Sequence, residues 1–284
     1  MNIKNLKQIF LTKYPYRVRV VNYFEESTKC ELTWDNITKA NLKLFVDYLR
    51  KHVSNNTART YCSQLKSCIR LYSDRVKLPK DFEKILNIKK ENCVNTFLNK
   101  DDINKIIRYK PENMAESVIK DLFLLGCLTG ARRSDYCRFS KRNLYDGYIT
   151  YNSQKTNVVA QIPSSNMLTR LINRLEGVER KDYCESYFNR IIKDICKKCK
   201  IDEDTHVHVG GEDKYGKKWE FVTSHTARRS FATNLYLNGA EIYEISRMCG
   251  HTSINMTYRY ICCPPRISKS VIKFLNSFDE KELV

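Results

Sequence analysis

The sequence is poor in residues that interrupt regular structure, and it has no hydrophobic run long enough to cross a membrane. Among 284 residues there are 9 glycines and 6 prolines, which excludes collagen-like and low-complexity chains. The longest apolar run, Leu122 to Leu128, has seven residues, whereas a membrane-spanning helix needs about 18 or more. The N-terminus lacks the apolar segment of a signal peptide. We therefore expect a cytoplasmic protein with a real core, and at about 150 residues per domain the length suggests two domains.

Clustered metal ligands are also scarce. The twelve cysteines stand within apolar patterns and are predicted to be reduced, buried residues of a cytosolic protein. Cys196 and Cys199 form a CxxC motif, but no second CxxC completes a zinc site. His206 and His208 have no carboxylate or cysteine at a matching spacing. The sequence therefore predicts no metal and no cofactor.

Acidic residues are outnumbered by basic ones, and the imbalance is greater in the first third of the chain. The chain carries 50 Lys and Arg against 32 Asp and Glu, a formal net charge of +18. Residues 1–100 hold 20 basic and 9 acidic residues, a net of +11, and the remainder holds 30 and 23, a net of +7. A strongly basic first third favours a polyanionic partner, most often nucleic acid, over a merely solvated surface.

The first 90 residues are predicted to form a helical domain. Thr38 can cap a helix whose apolar residues recur at helical spacing. Asn56 or Thr57 can cap the next helix, which buries one face. Its opposite face carries three basic residues that are either solvated or directed at phosphates, and the net charge favours the second interpretation. These predicted DNA-binding residues are Arg59, Lys66 and Arg70.

A polar, basic linker at residues 91–96 is predicted to lead into a second domain, residues 97–284. Asp101 is the predicted cap of its first helix. A longer buried helix, Met114 to Cys127, comes next. Two β-rich runs, Tyr148 to Tyr151 and Val158 to Ile162, predict a small antiparallel sheet. Further helices follow on both sides of a predicted loop at residues 202–218, and the last is an amphipathic tail helix at residues 267–278. The predicted fold class is mainly α with a small antiparallel β-sheet in the catalytic domain.

One ordered set of residues in this second domain has the chemistry of phosphoryl transfer. Arginine offers a planar fork matched to phosphate oxygens and keeps its proton. A tyrosine can attack phosphorus, and a lysine can protonate a leaving oxygen. In chain order the set is Arg132, Lys155, His225, Arg228, His251 and Tyr260.

The blocks LTGARRSDY (128–136) and SHTARRSFATNLYLNGAEIYEISRMCGHTSINMTYRYI (224–261) resemble those of tyrosine recombinases of the phage-integrase group. The Arg-Arg-Ser-Asp and Ala-Arg-Arg-Ser-Phe variants are similar to those of Bacteroidetes mobile-element enzymes. The resemblance implies a two-domain recombinase without an additional N-terminal domain for arm-type DNA sites. It implies a site-specific strand exchange through a 3′-phosphotyrosyl intermediate, in integration, excision or inversion of a mobile element.

The resemblance also implies residue roles. Arg132 and Arg228 would hold the scissile phosphate, and Tyr260 would be the nucleophile. Lys155 would protonate the departing 5′-hydroxyl. His225 would assist proton transfer, and the residue nine before the tyrosine, His251, would donate a hydrogen bond to the phosphate.

Several alternatives remain open on the sequence alone. Arg133 competes with Arg132, and Tyr258 competes with Tyr260, although the spacing favours the second member of each pair. The role of Arg229 is open. A type IB topoisomerase shares this chemistry, and a catalytically inert DNA-binding regulator shares the charge.

The partners implied by the resemblance are double-stranded DNA and three further copies of the chain, in a tetramer at synapsis. The chain in solution would be a monomer. No membrane association is expected, and the location would be the bacterial cytoplasm in association with the nucleoid. The tail helix would cover either its own domain or a neighbouring protomer.

Overall fold

The computed structural model describes residues 5–91, 93–178 and 183–263. The chain forms two compact units, each with its own apolar core. The first comprises the chain up to Cys93 together with His208–Asp213, and the second comprises Val94–Val207 and the chain from Lys214 onward. The fold is mainly helical with small antiparallel sheets, as the sequence predicts. In the described ranges, no helix combines the length and apolarity needed to cross a bilayer.

The first unit is built from helices whose apolar stripes meet in one core. On the third helix the stripe Leu42, Phe45, Val46 and Leu49 is buried, and each such side chain contributes about 1.5–3 kcal/mol when it leaves water. The helices are α1 (Leu6–Lys13), α2 (Val18–Thr28), α3 (Lys39–His52), α4 (Asn55–Arg70) and α5 (Phe82–Ile85).

One of the two helix caps predicted in this unit is confirmed and the other is wrong. The Thr38 hydroxyl accepts a hydrogen bond from the Asn41 amide at 3.2 Å, as predicted. Helix α4 is capped by Ser54, which accepts from the Thr57 amide at 3.4 Å, and not by Asn56 or Thr57. The reason is that the Asn56 amide side chain is used elsewhere, because it bonds both the N–H and the C=O of Glu91.

The second unit surrounds a helix that is buried almost all round, α7, against which α9, α10 and α11 pack. Eight helices belong to the described part of this unit: α6 (Lys100–Arg108), α7 (Met114–Thr129), α8 (Arg133–Tyr136), α9 (Asn166–Leu175), α10 (Glu185–Lys198), α11 (Ser224–Leu237), α12 (Ile242–Met248) and α13 (Ile254–Tyr258).

The N-cap of helix α6 is Asn99, two residues before the predicted cap Asp101. The Asn99 side chain accepts from the Asp102 amide at 2.9 Å, and the Asp102 carboxylate accepts from the Asn99 amide at 3.2 Å. This reciprocal pair satisfies two amides at once, which a single Asp101 cap would not do. Asp102 also forms a buried ion pair with Lys218 at 2.8 Å, so the start of α6 is fixed to the segment that precedes α11.

The predicted sheet is present, with three antiparallel strands in the order β1 (Leu144–Tyr145), β2 (Tyr148–Asn152) and β3 (Val159–Pro163). Asp146 and Gly147 form the first turn with φ of 48° and 75°, a geometry typical of two-residue hairpins. In β2 and β3, Ile149 pairs with Ile162 and Tyr151 pairs with Ala160. The second turn carries Lys155, as predicted.

The predicted loop at residues 202–218 is wrong, because most of it forms a second hairpin. Strands β4 (Asp204–Val209) and β5 (Glu212–Lys217) pair across Gly210 and Gly211, whose φ values are 72° and 88°. Both faces of β5 are largely exposed, so the apolar alternation that reveals a strand is missing. The rings of His206 and Tyr215 stack at 4.7 Å.

The helix that precedes the predicted nucleophile is shorter than the predicted 253–261 segment. Helix α13 ends at Tyr258, and Tyr260 lies just beyond it, with its amide still bonded to the Thr257 carbonyl at 2.9 Å. The predicted tail helix at residues 267–278 lies outside the described residues.

Candidate active site

The end of helix α7 places Arg132. Gly130 adopts a left-handed conformation with φ of 64°, and a Cβ atom there would lie 2.3 Å from the Phe231 ring. Glycine is therefore required both for the backbone and for the close packing. The turn ends at Arg132, the residue before helix α8, whose side chain is half-buried.

A short relay of hydrogen bonds holds Arg132 against the β2–β3 hairpin. Its guanidinium donates to the Ser153 hydroxyl at 2.7 Å, and Ser153 donates to Asp135 at 3.4 Å. The other Asp135 oxygen accepts from the Gln154 amide at 3.0 Å. Burial, and then the charge of Arg228, lower the pKa of Arg132. The arginine remains a cation, and it is positioned in advance.

Arg228 is the most deeply placed charge of the site, with 1% of its surface exposed. Its two terminal nitrogens donate to the carbonyls of Gly130 at 2.7 Å and Cys249 at 2.8 Å. Helix α11 thus joins the turn after α7 to the turn after α12 through one side chain. The Nε atom of Arg228 is buried and has no partner.

His251 is held at the turn after helix α12. Gly250 has φ of 60° and packs against Ala160 and Ser153 of the hairpin. The His251 Nδ1 atom lies 3.0 Å from the Thr257 hydroxyl, while its Nε2 atom is buried without a partner. Burial, followed by the charges of the two arginines, lowers its pKa to about 3. The ring is therefore neutral near pH 7. In the tautomer whose Nδ1 accepts from Thr257, Nε2–H is a free donor.

The ring of Tyr260 packs directly on these groups. It stacks on His251 with centroids 5.1 Å apart and planes at 22°, and the Arg228 guanidinium carbon lies 5.0 Å from its centroid. The Tyr260 carbonyl accepts from the Thr233 hydroxyl at 3.1 Å. Tyr258, the competing tyrosine, is 57% exposed. The structure therefore brings Tyr260, and not Tyr258, to the arginines.

His225 and Lys155 lie at the exposed rim of the cluster. Partial desolvation and then the charge of Arg229 lower the pKa of His225, and Arg228 and Lys155 act in the same direction. Lys155 is thus within electrostatic range of the imidazole. Arg133 turns the other way, since it donates to the Tyr183 carbonyl at 3.0 Å and lies over the Phe188 ring.

The site gathers cations and unpaired donors around one phenol. Across residues 5–91, 93–178 and 183–263, no group of three or more His, Cys, Asp and Glu side chains could hold a metal ion. The arrangement suits a dianionic or developing anionic group, because buried donors without partners bind an acceptor that carries negative charge.

The family model described as the phage integrase family matches residues 96–263. The chain belongs to the phage integrase family. The integrase of Escherichia phage P2 is 26% identical over 154 residues, which cover 54% of this chain and 40% of that protein. Tyrosine recombinase XerA of Pyrococcus furiosus is 26% identical over 203 residues, 70% and 68% of the two chains. The chain spans less than half the length of the P2 integrase and of the Haemophilus phage HP1 integrase, of which it covers 38%.

Solved structures of the same fold include a lambda integrase dimer bound to a COC′ core site. It matches with a TM-score of 0.65 at 15% identity and covers 93% of this chain and 95% of that one. The Tn1549 transposon integrase in complex with transposon right end DNA matches with a TM-score of 0.64 at 14% identity, over 96% and 99% of the two chains. The integrase fold thus extends over both units of this chain.

All six residues that the sequence nominates lie in the part of the chain that the family model matches. The structure gathers Arg132, Arg228, His251 and Tyr260 into one cluster, with His225 and Lys155 at its rim. Arg229, whose role was open, lies within electrostatic range of His225.

The three basic residues predicted to bind DNA lie on α4 of the first unit, outside the family match. Arg59 and Arg70 are exposed and Lys66 is half-buried. Arg70 forms a two-pronged ion pair with Glu83, with both bonds at 2.6 Å. Glu83 therefore already partly neutralises the charge of Arg70. The sequence could not show this pairing, because helical spacing reveals only which residues share a face.

Sequence reasoning missed several groups that position the site. The carbonyls of Gly130 and Cys249 hold Arg228, and the Thr257 hydroxyl orients His251. Main-chain acceptors carry no sequence signal. Ser153 could have been found, because it follows Ile149 and Tyr151 on the inward face of the strand that leads to Lys155.

Proposed function

We propose that this chain is a site-specific DNA recombinase that cleaves and rejoins DNA through a 3′-phosphotyrosyl intermediate. One observation carries the proposal: two buried polar atoms without partners, Arg228 Nε and His251 Nε2, belong to side chains that pack directly on the Tyr260 ring. Unpaired buried donors cost stability in the free protein. A scissile phosphate would satisfy them.

The proposed reaction is a transesterification. The Tyr260 hydroxyl attacks phosphorus, the bond from phosphorus to the 5′-oxygen breaks, and a 3′-phosphotyrosine forms. Lys155 gives a proton to the departing 5′-oxygen, and His225 assists removal of the tyrosine proton. Arg132, Arg228 and neutral His251 stabilise the added negative charge on the non-bridging oxygens.

The reverse reaction joins the strands. A 5′-hydroxyl from a second duplex attacks the phosphotyrosine and releases Tyr260. One phosphodiester-like bond is kept at each step, so the cycle needs no nucleotide, no water and no metal. This balance agrees with a site made of cations and a phenol.

The proposal extends to domains and assembly. The helical domain of residues 1–90 and the catalytic domain of residues 97–284, joined by residues 91–96, would both contact duplex DNA. A lambda integrase tetramer bound to a Holliday junction shares this fold with a TM-score of 0.62, which supports a tetramer at synapsis. We place the protein in the bacterial cytoplasm, on the nucleoid, acting on a mobile element.

The test is covalent capture. The protein is incubated with a random-sequence library of nicked duplexes in EDTA, and DNA that stays attached after denaturation is recovered and sequenced. We expect one enriched site with wild-type protein and none with Tyr260→Phe. Adducts that need added magnesium, or no adducts at all, would contradict the proposal.

The same captured site separates the rival functions. A recombinase forms a four-protomer complex on two copies of the site, measured by light scattering, and exchanges strands between them. A topoisomerase IB relaxes supercoils as a monomer. An inert regulator would yield no captured site at all, and would bind duplex DNA in a native gel without forming an adduct.

A further inference from the structure

Tyr151 is a buried tyrosine that neither the sequence reasoning nor the proposed mechanism uses. It lies on the inward face of β2, two residues before Ser153, and 6% of its surface is exposed. Its ring packs on Phe139 with centroids 5.0 Å apart, and its strand partner is Ala160. The small partner leaves space for the large ring.

The hydroxyl of Tyr151 has no hydrogen-bond partner, although it is buried. A phenylalanine would fill the same space without desolvating a hydroxyl, and would make the free protein more stable. The phenol is thus a cost to the free protein that a bound partner can offset.

The surroundings of this hydroxyl identify the partner. It lies within electrostatic range of Arg228, Cys249, Asp135 and Arg132, and Tyr151 in turn acts on Arg132. Burial raises the pKa of Tyr151, so the phenol keeps its proton and can donate it in a hydrogen bond. Both oxygens of Asp135 already accept from Ser153 and from the Gln154 amide, and Asp135 does not bond this hydroxyl. The remaining anionic acceptor that the two arginines would bring to it is the scissile phosphate.

A second buried tyrosine provides the contrast. The Tyr136 hydroxyl is also buried without a partner. Its ring, however, packs on Gly126 and Phe188 in the core, and the charged neighbours of its hydroxyl include Arg133 and Glu185 rather than the two site arginines. Both tyrosines are therefore buried, but only the Tyr151 hydroxyl has the two site arginines among its charged neighbours.

We propose that Tyr151 is a further phosphate-binding residue of this site, whose hydroxyl donates a hydrogen bond to a non-bridging oxygen of the scissile phosphate. The inference rests on the proposed function. It adds a neutral donor from the hairpin to the charged donors of Arg132 and Arg228. Three donors of this site are closed to solvent: Arg228 Nε, His251 Nε2 and the Tyr151 hydroxyl. Side chains must therefore move to admit the phosphate. The Tyr260 ring packs on His251 and Arg228, so its displacement would open the site.

The test compares Tyr151→Phe with the matched control Tyr136→Phe on the captured duplex. We expect Tyr151→Phe to cleave about 10–100-fold more slowly, as loss of one preorganised donor does, with duplex affinity within about twofold of wild type and an equal or higher melting temperature. Tyr136→Phe should cleave at the wild-type rate. Equal rates for wild type and Tyr151→Phe would overturn the proposal.

A methylphosphonate at the scissile position separates contact from positioning. Each of its two stereoisomers lacks one non-bridging oxygen, so in one of them the penalty of Tyr151→Phe should disappear. A penalty that persists unchanged in both isomers would mean that Tyr151 acts through Arg132 or Asp135, and would refute the phosphate contact.

A DNA-free measurement keeps this inference separate from the proposed function. Inorganic phosphate should raise the melting temperature of wild type and of Tyr136→Phe, and raise that of Tyr151→Phe by less. If wild type forms no adduct with any duplex, the recombinase function fails while this comparison still decides the anion contact. Equal shifts in all three proteins would reject it.

Discussion

The two units of this protein differ in what they bury. Among the described residues, the first unit buries few polar groups, among them Thr28 and single side-chain oxygens of Gln64 and Glu91, whereas the second unit buries carboxylates, lysines, hydroxyls, Arg228 and His251. A unit that acts by surface charge can have an ordinary apolar core. A unit that orients donors toward an anion must desolvate them, and so it carries polar groups that are expensive without a ligand. Substitutions in the second unit should therefore change chemistry, and those in the first should change affinity.

The largest effect is expected at Tyr260 in the second unit. Tyr260→Phe removes the oxygen that we propose attacks phosphorus and keeps the ring that stacks on His251, so covalent adducts should vanish while duplex affinity stays. The measurement is denaturing electrophoresis of protein with labelled DNA. Tyr258→Phe is the control, because that ring is exposed. If the Tyr258 variant loses the adduct and the Tyr260 variant keeps it, the nucleophile has been misassigned.

The two arginines should separate catalysis from stability. Arg132→Ala should slow cleavage at least about 100-fold, since a preorganised charge contributes roughly 3 kcal/mol at the transition state, and it should leave the melting temperature nearly unchanged because the side chain is half-exposed. Arg228→Ala should slow cleavage as much and also lower the melting temperature, because two carbonyls lose their donor. Single-turnover cleavage and thermal melts give both readouts. An equal loss of binding and cleavage would reduce these arginines to docking residues.

Surface charges of the first unit should change affinity alone. Arg59→Ala and Lys66→Ala should each weaken duplex binding about 3–10-fold at low salt and lower the salt slope by about 1, while bound complexes cleave normally. Arg70→Ala should have a smaller effect because Glu83 already pairs with it. Glu83→Gln should strengthen binding by releasing that charge. Titrations at several salt concentrations measure these changes. Unchanged duplex affinity in all three basic variants would mean that this face of α4 does not contact DNA.

The smallest effect is expected in the pH dependence of stability. The pKa of His251 falls from 6.5 to about 3 on folding, so between those values the unfolded chain binds more protons. The free energy of unfolding should therefore decrease as pH drops below 6.5. In His251→Gln, the loss of melting temperature between pH 7 and 5 should be smaller by about 4–8 °C.

His208 provides the opposite sign. Its pKa is raised, chiefly by Asp213, so it stabilises the folded state in acid, and that stabilisation is lost as pH rises. His208→Gln should enlarge the loss of melting temperature between pH 7 and 5.

The His251 variant tests whether that imidazole is buried. Identical pH profiles of melting temperature for wild type and His251→Gln would show that the His251 imidazole is not buried in its neutral form.

The sequence predicted much of this structure, because its patterns are local. The α3 stripe, the Thr38 cap, the buried α7 and the Asp146-Gly147 hairpin each follow from residues within one helical turn or one strand pair. One of the errors has a long-range cause and the other a local one. Asn56 was used by Glu91 rather than by the helix, and the β4–β5 hairpin has no apolar alternation to reveal it. The blocks at 128–136 and 224–261, with the ordered set from Arg132 to Tyr260, indicated the family through residue type and spacing.

Only the tertiary structure decided how these residues act together. The spacing of His225 and Arg228 puts them on one helix, but packing sends Arg228 inward to two carbonyls and leaves His225 at the rim. No sequence rule shows that Tyr151 keeps an unpaired hydroxyl beside two arginines, because its neighbours come from α8, α11 and the turn after α12. The sequence determined which chemical groups are available, since residue types fix donors and charges. The fold decided which of them lose water and point at one place, since desolvation depends on contacts between segments far apart in the chain.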